Sequence, residues 1–138
     1  MVGQAAPDIA LKDVDGHQFF LKDLRGKPVF VNFWATWCEP CRMEMPQIQA
    51  LQEKFKDQGL VVVGINYSES AETAKKYFSQ EKYTMRNLLD PTSETFNRYG
   101  AGGIPKVVLI DKDGIVRYVQ QGYSSRQDFA AEITKLGP

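Results

Sequence analysis

A chain of 138 residues with 43% hydrophobic and 12% aromatic residues has the length and apolar content to fold around a buried core, which excludes a disordered chain. Lys+Arg and Asp+Glu both number 17, so no basic excess points to nucleic acid or to an anionic membrane surface. Two cysteines are too few for a disulfide-built scaffold, and no run of about 18 apolar residues is present to span a bilayer.

The segment Met1-Val2-Gly3-Gln4-Ala5-Ala6-Pro7 has neither a charged n-region nor an apolar h-region. That fits a cytoplasmic protein or a mature chain whose export segment has been removed. Ala10-Leu11-Lys12 and Gln18-Phe19-Phe20-Leu21 flank the turn dipeptide Asp15-Gly16 and predict a hairpin. After a loop punctuated by Gly26 and Pro28, the run Val29 to Ala35 is apolar except for Asn32. Its β-branched and aromatic content predicts a strand buried on both faces, as in a parallel sheet.

Cys41, Met45, Ile48, Leu51 and Phe55 recur at helical spacing and form one apolar stripe. Pro46 lies inside that helix and removes the donor that would reach the Arg42 carbonyl, which predicts a kink. Gly59 ends the helix, and Leu60 to Ile65 is a second buried strand. Ser70 is placed to cap a helix running to Gln80 with Ala71, Ala74 and Phe78 inward. Asn87-Leu88-Leu89 is a short strand before Asp90-Pro91, and Phe96 and Tyr99 mark a short helix stopping at Gly100. Lys106 to Ile110 is a third apolar strand, and Asp113-Gly114 turns the chain into an antiparallel partner, Ile115 to Gln120. A last helix starts near Ser125, with Phe129, Ile133 and Leu136 as its stripe and Ser125 and Asp128 resembling a capping box. Parallel strands joined by helices and closed by a hairpin predict a single α/β domain over residues 1–138.

The only two thiols, Cys38 and Cys41, stand two residues apart where a buried strand gives way to a helix. A helix N-terminus offers unpaired N–H groups and a positive dipole end that stabilise a thiolate. A free thiol, with a pKa of ~8.5, is only slightly ionised at neutral pH, so such stabilisation acts directly on rate. Cys38 is therefore the expected attacking thiol, and Cys41, one turn inward, the resolving one. Trp34 and Trp37 are expected to shield the pair and offer an apolar docking surface. A purely structural disulfide across so small a ring gains the least from loop closure. A zinc site needs about four ligands, and beyond the thiols only His17 on the hairpin turn offers an imidazole.

Glu39 and Pro40, between the thiols, are placed to tune the pair. Glu39, a like charge beside a forming thiolate, is expected to raise the thiol pKa and make the pair more reducing; the alternative is a plain exposed acid at a helix start. Glu44, three residues past Cys41, is a candidate acceptor for the Cys41 proton, or else a solvated surface acid. Ile104-Pro105, entering a strand after Gly102-Gly103, is either a cis bond facing the thiols or an ordinary trans proline.

Phe33-Trp34-Ala35-Thr36-Trp37-Cys38-Glu39-Pro40-Cys41-Arg42, followed by Glu44-Met45-Pro46, resembles the thioredoxin superfamily, and within it the ResA/TlpA/CcmG-like thiol–disulfide oxidoreductases. The similarity runs from Gly3 through the final helix. It implies a thioredoxin fold with an N-terminal β-hairpin, a central insertion over about Glu69 to Tyr99, and a mixed sheet flanked by helices. It also implies that Ile104-Pro105 is the cis-proline motif facing the disulfide. The further implications are a monomeric, exported reductant of protein disulfides that needs no cofactor beyond the Cys38–Cys41 pair. Its substrates would include apocytochrome c thiols, its electrons would come from a membrane or extracytoplasmic donor, and it would not bind nucleic acid.

Two departures stand out. Asn32 occupies the position of the buried Asp of ordinary thioredoxins, which leaves Glu44 as the substitute proton acceptor. Lys106 stands where the family usually has Thr, either as a cation favouring acidic partners or as a side chain in solvent. Competing functions are a thiol peroxidase of the peroxiredoxin type and a non-catalytic Cu(I)-binding module.

Overall fold

The structure, a computed structural model, describes residues 1–137. Ala10–Lys12 (β1) and Gln18–Phe20 (β2) pair antiparallel, with Ala10 opposite Phe20. Val29–Trp34 (β3) leads into Glu39–Phe55 (α1), then Val61–Tyr67 (β4), Ala71–Glu81 (α2) and Arg86–Asp90 (β5). Glu94–Arg98 (α3), Lys106–Ile110 (β6), Val116–Gln121 (β7) and Phe129–Thr134 (α4) complete the chain. The main sheet has the order β5-β4-β3-β6-β7. β3, β4 and β5 run parallel, whereas β6 and β7 are antiparallel to their neighbours.

β3 is buried at every residue because it lies at the centre of this sheet with a layer on each face. Phe30 and Trp34 pack with Cys41, Met45 and Ile48 of α1, Phe78 of α2 and Phe129 of α4. Val29, Val31 and Phe33 point the other way, toward Ile9, Phe19, Phe96 and Tyr99. Strand alternation thus sends successive residues to two separate cores, which is why the run reads as uniformly apolar. Each large side chain so buried contributes about 1.5–3 kcal/mol.

Most boundaries match the sequence expectations, and the mixed sheet, flanking helices and N-terminal hairpin are those expected. α1 runs without interruption through Pro46. Gly59 adopts φ 84° at the turn after α1, a left-handed conformation that glycine takes without a Cβ penalty. Ser70 caps α2 by accepting from the Thr73 N–H at 3.1 Å. The last helix is a correction: it begins at Phe129, and Asp128 is its cap, accepting from the Ala131 N–H at 3.0 Å. Ser125 and Leu136 lie outside it, so the expected capping box does not form. Asp90, 2% exposed, accepts from the N–H groups of Thr95 and Phe96 and so ties the start of α3 to the end of β5. The insertion over residues 69–99 thereby supplies α2, β5 and α3.

Candidate active site

β3 ends at Trp34, and a tight turn, closed by the Cys38 N–H bonding to the Ala35 carbonyl, delivers Cys38 to the N-cap of α1. Pro40 sits in the first turn, where its missing N–H would have had no helical partner. Cys38 and Cys41 form a disulfide with their Cα atoms 5.2 Å apart. The Cys41 N–H also reaches the Cys38 sulfur at 3.3 Å. Of the pair only Cys38 presents surface, at 5%, against 0% for Cys41. Reduction of the disulfide would leave Cys38 at a positive helix end with an N–H aimed at its sulfur, a setting that favours the thiolate.

Glu39 is exposed at the first position of α1. If it tunes the thiols, Glu39→His is expected to move the reduction potential to a more oxidising value by about 30 mV. A redox titration with no such movement contradicts that role.

Glu44 is fully buried on α1. Its Oε2 accepts a 3.3 Å hydrogen bond from Gln127, and its Oε1 has no partner. Burial pushes its carboxyl up to about 7, opposed weakly by the Gln127 bond. The solvated alternative is therefore excluded. Gln127, from the loop before α4, also donates to Gln47 at 2.9 Å and covers the acid from outside. Sequence reasoning missed Gln127, since nothing local marks a loop glutamine as the cover of a residue 83 positions away.

The Ile104–Pro105 bond is cis. Phe33 pairs with Lys106, so Ile104 and Pro105 enter the sheet at the end where β3 gives way to the Cys38 turn. Ile104 is half-buried and Pro105 buried. Trp37 is 62% exposed beside the disulfide, whereas Trp34 is fully buried. Trp34 stacks on Phe78 at 4.9 Å and packs against Tyr77 at 5.4 Å. The expectation that Trp34 offers a docking surface is thus corrected: the pleat that exposes the turn at Trp37 turns Trp34 into the core. Gly64 makes room for it, because a Cβ there would lie 3.1 Å from the indole nitrogen.

Asn32 is buried and donates to the Met45 sulfur at 3.2 Å. Lys106 departs from both expectations. It is 5% exposed, donates to the Ala101 carbonyl at 3.1 Å, and burial holds its amine below the usual lysine range. The loop from Gly100 to Gly103 folds over it, with room because Gly100 has no Cβ to meet the amine. His17 lies on the exposed hairpin turn beside Asp13. Sequence reasoning also missed Glu69, which reaches Thr36 from the loop after β4. Its only local signal is a polar pair, Asn66 and Glu69, at the end of an apolar strand.

The AhpC/TSA family profile matches residues 2–119. The thiol-disulfide oxidoreductase ResA of Geobacillus kaustophilus is 36% identical over 137 residues, which cover 99% of this chain and 79% of that protein. The protein of the same name from Bacillus subtilis is 35% identical over 120 residues, 87% of this chain and 67% of the relative. A Chlorobium tepidum protein assigned as the thiol:disulfide interchange protein DsbE superposes with a TM-score of 0.91 at 32% identity, covering 99% of this chain and 97% of its own.

Proposed function

Because the chain belongs to the AhpC/TSA family and is a thioredoxin-fold thiol–disulfide oxidoreductase, we propose that it works as an extracytoplasmic reductant of protein disulfides. The single observation that carries the direction of attack is the pair's asymmetry: Cys38 at the helix N-cap with the only exposed surface, and Cys41 wholly buried behind it. In the reduced protein the Cys38 thiolate attacks one sulfur of a substrate disulfide. A mixed disulfide forms and the other substrate sulfur leaves as a thiolate. Cys41 then gives its proton to the Glu44 carboxylate, and its thiolate attacks the Cys38 sulfur. The second substrate thiolate departs, and the Cys38–Cys41 disulfide holds the two electrons' worth of oxidation. Substrate thiolates take protons from water, and an extracytoplasmic or membrane-bound dithiol donor returns the pair to its reduced state.

No bound cofactor is needed for this sequence, since the dithiol carries both electrons. Trp37, Ile104 and Pro105 would form the wall against which the substrate chain lies. The relatives at 36% and 35% identity are named thiol-disulfide oxidoreductases, which supports protein disulfides as the substrate class; apocytochrome c thiols as the client, and a monomer outside the cytoplasm as the setting, are part of the proposal. No helix among the described residues is long and apolar enough to cross a membrane.

Insulin reduction by dithiothreitol tests the reading. The wild-type protein is expected to accelerate it, and Cys38→Ser to bring the rate to background. A Cys38→Ser protein that still accelerates insulin reduction would contradict the assignment, and rapid consumption of hydrogen peroxide by a Cys41→Ala protein would favour a peroxidase instead.

A further inference from the structure

The turn before Cys38 is held by a residue from another part of the chain. Glu69 Oε1 accepts the Thr36 N–H at 2.7 Å, and its Oε2 accepts the Thr36 hydroxyl at 2.5 Å. The same Oε1 accepts from the Asn66 side-chain amide at 2.8 Å, and the Glu69 N–H returns a bond to Asn66 Oδ1 at 2.9 Å. Asn66 is fully buried and pairs with Trp34 in the sheet register, so this carboxylate is anchored to the rigid β3–β4 ladder. From the other side Arg42 donates to the Thr36 carbonyl at 2.7 Å. All three polar atoms of Thr36 are therefore bound, each to a charged partner, which makes the stronger class of hydrogen bond.

We infer that Glu69 is a positioning residue for thiol–disulfide exchange: acting through Thr36, its carboxylate holds the Ala35–Trp37 turn so that Cys38 and the exposed Trp37 face an incoming disulfide together. The inference rests on the reading of Cys38 as the attacking thiol. Attack on a disulfide requires the nucleophile in line with the sulfur it displaces, and small misplacements are costly because the rate depends on near-attack geometry. A turn with Thr36 free would rotate its peptide and carry Trp37 and the Cys38 N-cap with it. The contact also explains why the loop after β4 is polar: it reaches across to the catalytic turn and does not merely enter α2.

The test is steady-state insulin reduction with Glu69→Ala, Thr36→Val, Thr36→Ser and the double variant Thr36→Val/Glu69→Ala, each at a temperature where circular dichroism shows it folded. Glu69→Ala is expected to lower kcat/KM by between about tenfold and a hundredfold. Thr36→Val is expected to lower it less, Thr36→Ser to recover most of that loss, and the double variant to be no slower than Glu69→Ala. A purely structural role would move the melting temperature and leave this pattern absent. A Glu69→Ala protein within about twofold of wild type in kcat/KM, or full additivity in the double variant, overturns the inference. Insulin reduction retained by Cys38→Ser would instead strike at the attacking-thiol reading and leave the clamp's geometry untouched.

Discussion

Glu44→Gln is expected to slow exchange by about a hundredfold at neutral pH, the lower end of what a positioned proton acceptor contributes. It is also expected to change how stability depends on pH. Burial raises the Glu44 carboxyl from 4.5 to about 7, a difference worth about 3 kcal/mol between folded and unfolded states. The fold favours the protonated form, so this contribution is fully present below the unfolded value of 4.5 and is lost as pH rises through about 7. Denaturant unfolding of the oxidised proteins should therefore show the variant gaining on wild type by about 3 kcal/mol between about pH 4 and pH 8. In turn, the wild-type rate profile should carry a titration near 7 that the variant lacks. A constant stability difference across that range, with no change in rate, would mean that Glu44 neither holds a buried charge nor handles the Cys41 proton.

Trp34→Ala and Trp37→Ala are expected to separate sharply. Trp34 is fully buried and stacked on Phe78, and removing so large a core side chain costs about 3–5 kcal/mol. Trp37, 62% exposed, should change unfolding stability by no more than about 0.5 kcal/mol. Its loss should instead raise KM for a protein disulfide, because it stands next to Cys38 with most of its surface open to an incoming chain. Chemical denaturation and insulin kinetics on the two variants check both halves. Equal stability losses would contradict the division between core and docking surface.

These two tryptophans mark the boundary of what the sequence made legible. The central strand was plain because residues alternating between two cores give an unbroken apolar run, and the α1 stripe was plain because one helix face is buried from Cys41 to Phe55. The pair Cys38 and Cys41 declared itself by spacing and setting alone. Trp34 is not legible in this way, since a tryptophan next to a reactive site reads equally as core or as surface until the pleat is fixed. Glu44 could be placed on the correct helix, but only the three-dimensional cover from Gln127 shows that it is sealed from water.

Contacts across long sequence separations were illegible in principle. Glu69 meets Thr36 across 33 positions, and no periodicity or motif links them. The burial of Lys106 is illegible for a related reason. Charge predicts exposure, yet a glycine-rich loop that can fold flat over the amine reverses the outcome once Ala101 offers a carbonyl. The start of α4 is ambiguous in the sequence because both Ser125 and Asp128 are competent caps, and in the structure it is Asp128 that accepts from the Ala131 N–H.

The measurement that bears most directly on the central claim is peptide mapping of the adduct formed when reduced Cys41→Ala protein meets insulin. With the resolving thiol gone, the mixed disulfide should accumulate and map to Cys38 joined to an insulin cysteine. An unreacted Cys38 thiol alongside intact insulin disulfides would contradict the account of this dithiol as an exchange catalyst.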